Sequence, residues 1–245
     1  MKLLRALKTY CLFALAICAS SALFMMSNST QLVNAAENPV ELYYTYENPE
    51  YIFEKITIYI KTNNSGNNEN VTIHGDSSGT NEEWVDYKAN YVETLQDGSK
   101  IWKAEISYPG GNFQYAIKYE VNGQTYWDNN YGKNYTNKNI LGTAVIGVHP
   151  AGSGYDPSNY PIRVNVKNLG YDKKINVRYT ENDWKDNNFK DVPLTYIATN
   201  EDGSELWGTT LKLNEITTDK FHYAVSYEQN GTVYWDNNFE ANYNY

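Results

Sequence analysis

The chain is poor in the residue types that most chemistry needs. Of its 245 residues only two are cysteine, Cys11 and Cys18. Beyond them no disulfide, thiolate metal site or cysteine nucleophile can form. Histidine is nearly as scarce: His74, His149 and His222 have no metal-ligand spacing, and no helical period exists to carry a ligand pair. Basic residues are outnumbered, 20 Lys and Arg against 29 Asp and Glu, giving a net charge of −9 and a pI near 4.9. That balance excludes the basic patch that nucleic acid or an anionic membrane surface requires. Nucleophile elbows and phosphate-cradling glycine loops are missing as well. These absences leave no catalytic residue, no metal and no cofactor to assign.

Long apolar runs are also lacking, with one exception at the start. Lys2, Arg5 and Lys8 precede an apolar stretch from about Tyr10 to Met26, and Val33-Asn34-Ala35-Ala36 supplies small residues where a signal peptidase cuts. Residues 1–35 therefore read as a secretory signal, the alternative being an uncut membrane-anchoring helix. Ile17 before Cys18 makes a poor lipid-attachment site. Cleavage makes the protein secreted and leaves it no membrane partner. An exported chain without disulfides depends on core packing, and about 210 residues suffice for two domains of roughly 100.

What is present in excess is tyrosine, with 24 copies beside 6 Trp and abundant Asn. Tyr suits strands and sandwich cores, and it also suits a surface that stacks on something flat. The chain repeats itself once. Phe113 to Asn130, ending Tyr126-Trp127-Asp128-Asn129-Asn130, recurs as Phe221 to Asn238, ending Tyr234-Trp235-Asp236-Asn237-Asn238. Each copy closes on an Asn-Tyr pair, Asn134-Tyr135 and Asn242-Tyr243. Upstream, Asp97-Gly98-Ser99 answers Asp202-Gly203-Ser204, and Phe53-Glu54-Lys55 is aligned with Tyr171-Asp172-Lys173.

Within each copy the pattern alternates with a period of two. Ile56, Ile58 and Ile60, then Phe113, Tyr115, Ile117 and Tyr119, mark strands with one buried face, as do Ile175, Val177 and Tyr179. Asn122-Gly123 and Asn230-Gly231 supply tight hairpin turns. The class is all-β: two tandem immunoglobulin-like antiparallel β-sandwiches. The first is expected over 38–148, ending on an apolar strand at 140–148, and the second over 160–245. A Pro/Gly linker spans 149–159. An Asn/Gly/Ser-rich insertion at 63–81 reads as a long surface loop of the first domain.

Hydrolysis of a glycoside needs two facing carboxylates. Each repeat offers one recurrent turn Asp, Asp128 or Asp236, whose ordinary role is a hydrogen bond to nearby backbone. Sugar binding needs other groups. A pyranose face is apolar C–H, which an aromatic plane buries, and its hydroxyl edge is met by Asn, which donates and accepts. Trp127 with Asn129 and Asn130, and Trp235 with Asn237 and Asn238, fit that description. The same residues also read as a core Trp followed by an Asx turn.

The run from Val166 to Thr180, then Asp183-Trp184, Tyr227, Tyr234 to Asn238 and Asn242-Tyr243, resembles the family 21 carbohydrate-binding modules. These include starch-binding domains of fungal glucoamylases and glycogen-targeting subunits of protein phosphatase 1. The resemblance implies an immunoglobulin-like sandwich with two glucan sites. In the second domain it implies one site from Trp184, Trp235, Asn237, Asn238 and Asn242, and another from Asn168, Tyr171, Lys173 and Tyr196. In the first domain the matches are Trp127, Asn129, Asn130, Asn134 and Trp84, the last expected where Trp184 stands, and then Phe53, Lys55 and Tyr91. Ala116 and Ala224 stand where some members have an aromatic residue. The implied partner is α-glucan, with room for a separate amylolytic enzyme. The competing reading is a secreted surface or adhesion protein that binds another protein through the same fold.

Overall fold

The computed structural model describes residues 38–49, 53–63, 65–76, 78, 83–151, 156–214 and 220–244. The expected signal segment 1–35, with both cysteines, lies outside the described residues. The strands form antiparallel sheets arranged as two sandwiches. In the first, β1 (Val40–Pro49), β2 (Glu54–Thr62), β6 (Lys100–Tyr108) and β5 (Asn90–Thr94) make one sheet in the order β1-β2-β6-β5. The facing sheet has the order β4-β3-β7-β8, from β4 (Trp84–Lys88), β3 (Asn70–Asp76), β7 (Gln114–Val121) and β8 (Gln124–Asp128). A two-residue strand, β9 (Tyr135–Thr136), adds to β7.

The second sandwich repeats this order strand for strand. Its sheets are β10 (Ile146–His149), β11 (Tyr160–Val166), β15 (Glu205–Leu211) and β14 (Thr195–Thr199), then β13 (Lys190–Pro193), β12 (Lys174–Thr180), β16 (His222–Gln229) and β17 (Thr232–Asp236). The short β18 (Tyr243–Asn244) answers β9. Each core is the inward half of the alternating strands. Ile56, Ile58, Ile60, Val71, Ile73, Tyr115 and Tyr119 fill one, and Val164, Val166, Ile175, Val177, Tyr223 and Tyr227 the other. Much of the tyrosine excess is therefore core.

Three expectations from the sequence are corrected by the register. The 63–81 insertion is not one surface loop, because it contains β3, whose Val71 and Ile73 are wholly buried. Its true counterpart is β12: Ile73 pairs with Ile117 as Val177 pairs with Val225. Aligning β2 with β12 therefore misplaced Phe53, which stands where the second domain has Pro157, not Tyr171. The strand at the end of the first stretch, β10, pairs with β11 of the second sandwich. Segment 149–159 accordingly joins two neighbouring strands of one sheet, and the crossover between domains runs through 137–145.

The two sandwiches are fastened at this crossover. The Asp202 carboxylate accepts from the backbone N–H of Ile140 and Leu141 at 2.8 and 3.0 Å, and Lys138 pairs with Glu201 at 2.6 Å. On the outer face of the β1-β2-β6-β5 sheet, Tyr44, Tyr46, Tyr59 and Ile101 form a second apolar cluster, which Phe239 of the other domain joins. The Phe239 ring lies 6.0 Å from Tyr43 and 5.4 Å from Tyr59, centroid to centroid.

Candidate functional site

Each Tyr-Trp-Asp-Asn-Asn run leaves its hairpin strand in a left-handed turn. Asn130, Tyr131, Gly132 and Asn134 have φ of 52–84°, and Asn238, Phe239, Glu240 and Asn242 have φ of 53–72°. Asn tolerates this region better than other non-glycine residues, so the Asn-rich sequence is a conformational requirement before it is a recognition device. The recurrent Asp braces the turn. Asp128 accepts from the N–H of Leu42 (3.1 Å), the hydroxyl of Tyr135 (2.7 Å) and the N–H of Asn130 (3.2 Å). Asp236 does the same with Val148 (2.7 Å), Tyr243 (2.8 Å) and Asn238 (3.2 Å). Both carboxylates are thus structural ties between the turn and an edge strand. Burial, the largest cause, raises the pKa of Asp236.

The amides are partly spent on the same task. Asn129 Oδ1 accepts from Gly132 N and Asn237 Oδ1 from Glu240 N, while Asn130 and Asn238 donate to the carbonyls of Asn134 and Asn242. Among the described residues, the NH2 of the first Asn and the side-chain carbonyl of the second remain free at each turn. One donor and one acceptor, held rigidly beside a Trp, suit a pair of sugar hydroxyls.

Trp127 and Trp235 are each 46% exposed, so they are surface rings and not core residues followed by an Asx turn. Each belongs to a short row of flat groups on the open face of its sheet. Trp84 and Trp127 flank His74, at 5.2 and 5.8 Å between centroids. In the second domain Phe189 and Trp235 flank Arg178, whose Cζ lies 4.3 and 5.3 Å from the two rings. Beside the His or Arg, Ala116 or Ala224 is its cross-strand neighbour, leaving the face low there. An Asp orients the central group each time: Asp86 Oδ1 is 2.7 Å from His74 Nδ1, and Asp191 takes two bonds of 2.8 Å from Arg178. That bidentate pairing lowers the pKa of Asp191 and raises that of Arg178.

The register therefore equates Trp84 with Phe189, not with Trp184. Trp84 lies opposite Asp76, and both sequences read aromatic-x-Asp into the strand that follows. That spacing was the available signal for Phe189, and the insertion concealed it. Trp184 sits in the connection between β12 and β13, half-buried at φ 57°, with its indole N–H enclosed and without a hydrogen-bond partner among the described residues. His74, expected in a loop, is a residue of β3.

The second set of sites divides the domains. In the second domain Lys173 forms a nearly buried ion pair with Glu205 at 3.1 Å, so it supports the site from behind. Glu205 also accepts from Trp207 Nε1 at 3.0 Å, and Trp207 meets Tyr196 edge-on at 5.8 Å. Tyr196 is half exposed, and Tyr171 and Asn168 are exposed on the loop before β12. In the first domain the corresponding residues are not the expected ones. Phe53 adjoins Glu54, opposite Tyr108, whereas Tyr91 lies opposite Trp102. Six residues of extended strand separate them by ~20 Å. Lys55 pairs with Glu105 on the strand surface at 3.7 Å. The counterpart of Lys173–Glu205 is Glu69–Lys100, the same bridge with its charges exchanged.

Comparison with known proteins bears on the second domain. Residues 162–245 match the carbohydrate/starch-binding module (family 21). The second domain is a module of that family. Protein phosphatase 1 regulatory subunit 3C of Bos taurus is 36% identical to it over 84 residues, 33% of this chain and 26% of that protein. Glycogen-binding subunit 76A of Drosophila melanogaster is 29% identical over 86 residues, 33% of this chain and 12% of that protein. This chain thus spans about a quarter or less of the curated relatives it matches. The solved starch-binding domain of Rhizopus oryzae glucoamylase, in complex with β-cyclodextrin and maltoheptaose, superposes with a TM-score of 0.34. Its identity is 25%, over 42% of this chain and 93% of that one.

Proposed function

We propose that the chain is an exported, non-catalytic α-glucan-binding protein, with one module in each sandwich. The carrying observation is the exposed Trp beside a braced Asn turn, built twice from the same contacts. A glucan stacks a ring face on Trp127 or Trp235 and meets the free Asn amide groups with its hydroxyls. Stacking plus two or three net hydrogen bonds gives a Kd on the order of 0.01–1 mM per site. The family match of the second domain and the repeat between the domains support this reading. Starch, glycogen and maltooligosaccharides are the candidate ligands. Two fastened modules gain avidity on a granule when both Trp sites reach it.

The test is retention of the mature protein on insoluble starch, with cellulose as control and maltooligosaccharide as competitor. Selective, competed retention that falls with Trp127→Ala and Trp235→Ala supports the proposal. Folded protein that passes through starch overturns it and favours a surface protein with a protein ligand. The names of the relatives suggest a phosphatase partner and lend an amylolytic one no support. A phosphatase contact inside the cell conflicts with the export signal read from residues 1–35.

A further inference from the structure

The turn that carries Trp235 faces the first domain across a groove of 450 Å³. Its near wall is Trp235, Asn237 and Glu240, and its far wall is Glu93, Thr94 and Gln96 of the first domain. We propose that this groove is a composite glucan subsite, so that the Trp235 module is completed by its neighbour; the inference rests on the glucan reading above.

Three observations carry it. First, docking buries the turn without covering its ring. Phe239 packs against Tyr43 and Tyr59, whereas its counterpart Tyr131 is fully exposed; Trp235 nevertheless keeps the same 46% exposure as Trp127. The first domain therefore forms a wall beside the ring and not a lid over it. Second, the far wall has the chemistry of a sugar edge. Gln96 offers amide donors and an acceptor, Thr94 a hydroxyl and Glu93 a carboxylate, opposite the Asn237 amide. The volume falls within the range of small-molecule sites, about 300–1,000 Å³.

Third, the second repeat holds a charged side chain in a conformation that favours glycine. Glu240 has φ 72° where the first repeat places Gly132 at φ 84°. Its carboxylate reaches Gln96 Nε2 at 3.5 Å, a long contact that bridges the two walls. A non-glycine residue kept there against its preference points to a use for the side chain. A glucan stacked on Trp235 thus extends over Asn237 and Glu240 and takes hydrogen bonds from Gln96 and Thr94.

The experiment titrates maltotriose and maltoheptaose into the full-length mature protein carrying Trp127→Ala, which silences the first platform. In that background Gln96→Ala and Glu240→Gly are compared with the parent. Glu240→Gly relieves the backbone, so a loss of binding there is not a loss of folding. The expected result is that each weakens maltoheptaose ~5-fold while maltotriose changes less than twofold, as one lost hydrogen bond at the far end requires. Thr94→Trp, which fills the groove, abolishes the preference for the longer ligand. If both ligands bind all three variants as they bind the parent, while Trp235→Ala still weakens binding, the composite subsite is overturned and the glucan reading stands. If Trp235→Ala also changes nothing, both fall.

Discussion

Tyr131 and Phe239 follow the same Asn pair in the two repeats, one fully exposed and the other packed on the neighbouring domain. The surface that receives Phe239 differs between the domains as well. Tyr59 on the outer face of β2 corresponds to Arg163 on β11, and Leu95 after β5 corresponds to Asn200 after β14. The two repeats share one turn and one sheet face. Differences at a few positions let the turn of the second pack on the face of the first. At these two positions the second face is polar where the first is apolar. Tyr131 stays exposed, while Phe239 makes the second turn a joint between the two sandwiches.

The strongest way to test that equivalence is the charge-exchanged bridge, Lys173–Glu205 in one domain and Glu69–Lys100 in the other. Lys173→Glu places two carboxylates in a nearly buried position and should destabilise the second domain by about 3–5 kcal/mol. Adding Glu205→Lys rebuilds the arrangement of the first domain and should restore most of the loss. Urea unfolding of the single and double variants reads this directly. A double variant no more stable than the single one would mean that the surroundings, and not only the pair, are matched to charge order.

The joint comes next. Phe239→Ala removes a ring from the interdomain cluster and should cost ~2 kcal/mol, whereas Tyr131→Ala should stay within ~0.5 kcal/mol. Equal effects would show that the docked and free turns are energetically alike. A smaller and pH-dependent contribution comes from His149, which sits against Tyr46 at 5.7 Å and accepts from the Asn165 amide. Burial lowers its pKa to about 4. The unfolded chain therefore takes up a proton before the folded one does, and this stability is complete above pH ~6.5 and lost as pH falls toward 4. By pH 5 the loss is ~1–2 kcal/mol. Asp236, with its pKa raised, works in the opposite direction, and its proton is gained more readily by the folded state. The difference between the parent and His149→Gln isolates the histidine: a flatter stability profile in the variant is expected between pH 7 and 5.

Much of this was legible in the sequence, and the misalignments share one cause. Alternation over Phe113 to Tyr119 and its copy marked the strands and Asn-Gly the hairpin turns, because those strands have one buried face, but it left open whether Trp127 and Trp235 face the core or solvent. The strand β3 was hidden because Val71-Thr72-Ile73 is too short a run to stand out between Asn-rich flanks. Losing it shifted the alignment upstream by one strand, and that shift equated Phe53 with Tyr171 and assigned 63–81 to a loop. It also concealed Phe189 as the partner of Trp84. The joint was not readable, since nothing in a local pattern says that Tyr44, Tyr59 and Phe239 meet. The same holds for Lys173, which reads as a ligand-facing cation and turns inward to Glu205.

The finest test of the comparison concerns the second set of sites, where the expected effect is smallest. Tyr91 and Tyr196 look interchangeable: both immediately precede a bulge in their strand, meet a Trp edge-on at 5.8 Å and bond a Thr hydroxyl at 2.9 and 2.8 Å. Their neighbours are not alike. The loop before β12, tied to Tyr196 through Lys173, Glu205 and Trp207, offers the exposed ring of Tyr171, whereas the register places Asn67 there in the first domain, with its backbone N–H bonded to Asn122 at 2.8 Å. Two rings can clamp a glucan that one ring only touches, and losing one stacking contact of a weak site removes about 0.5–1 kcal/mol. With Trp127 and Trp235 both changed to Ala, Tyr196→Ala should therefore weaken residual maltoheptaose binding about threefold, and Tyr91→Ala should leave it unaltered. An NMR titration measures both. Equal losses would mean that Tyr171 adds nothing and that the two domains carry the same second site; loss only at Tyr196 would place that site in the second domain alone.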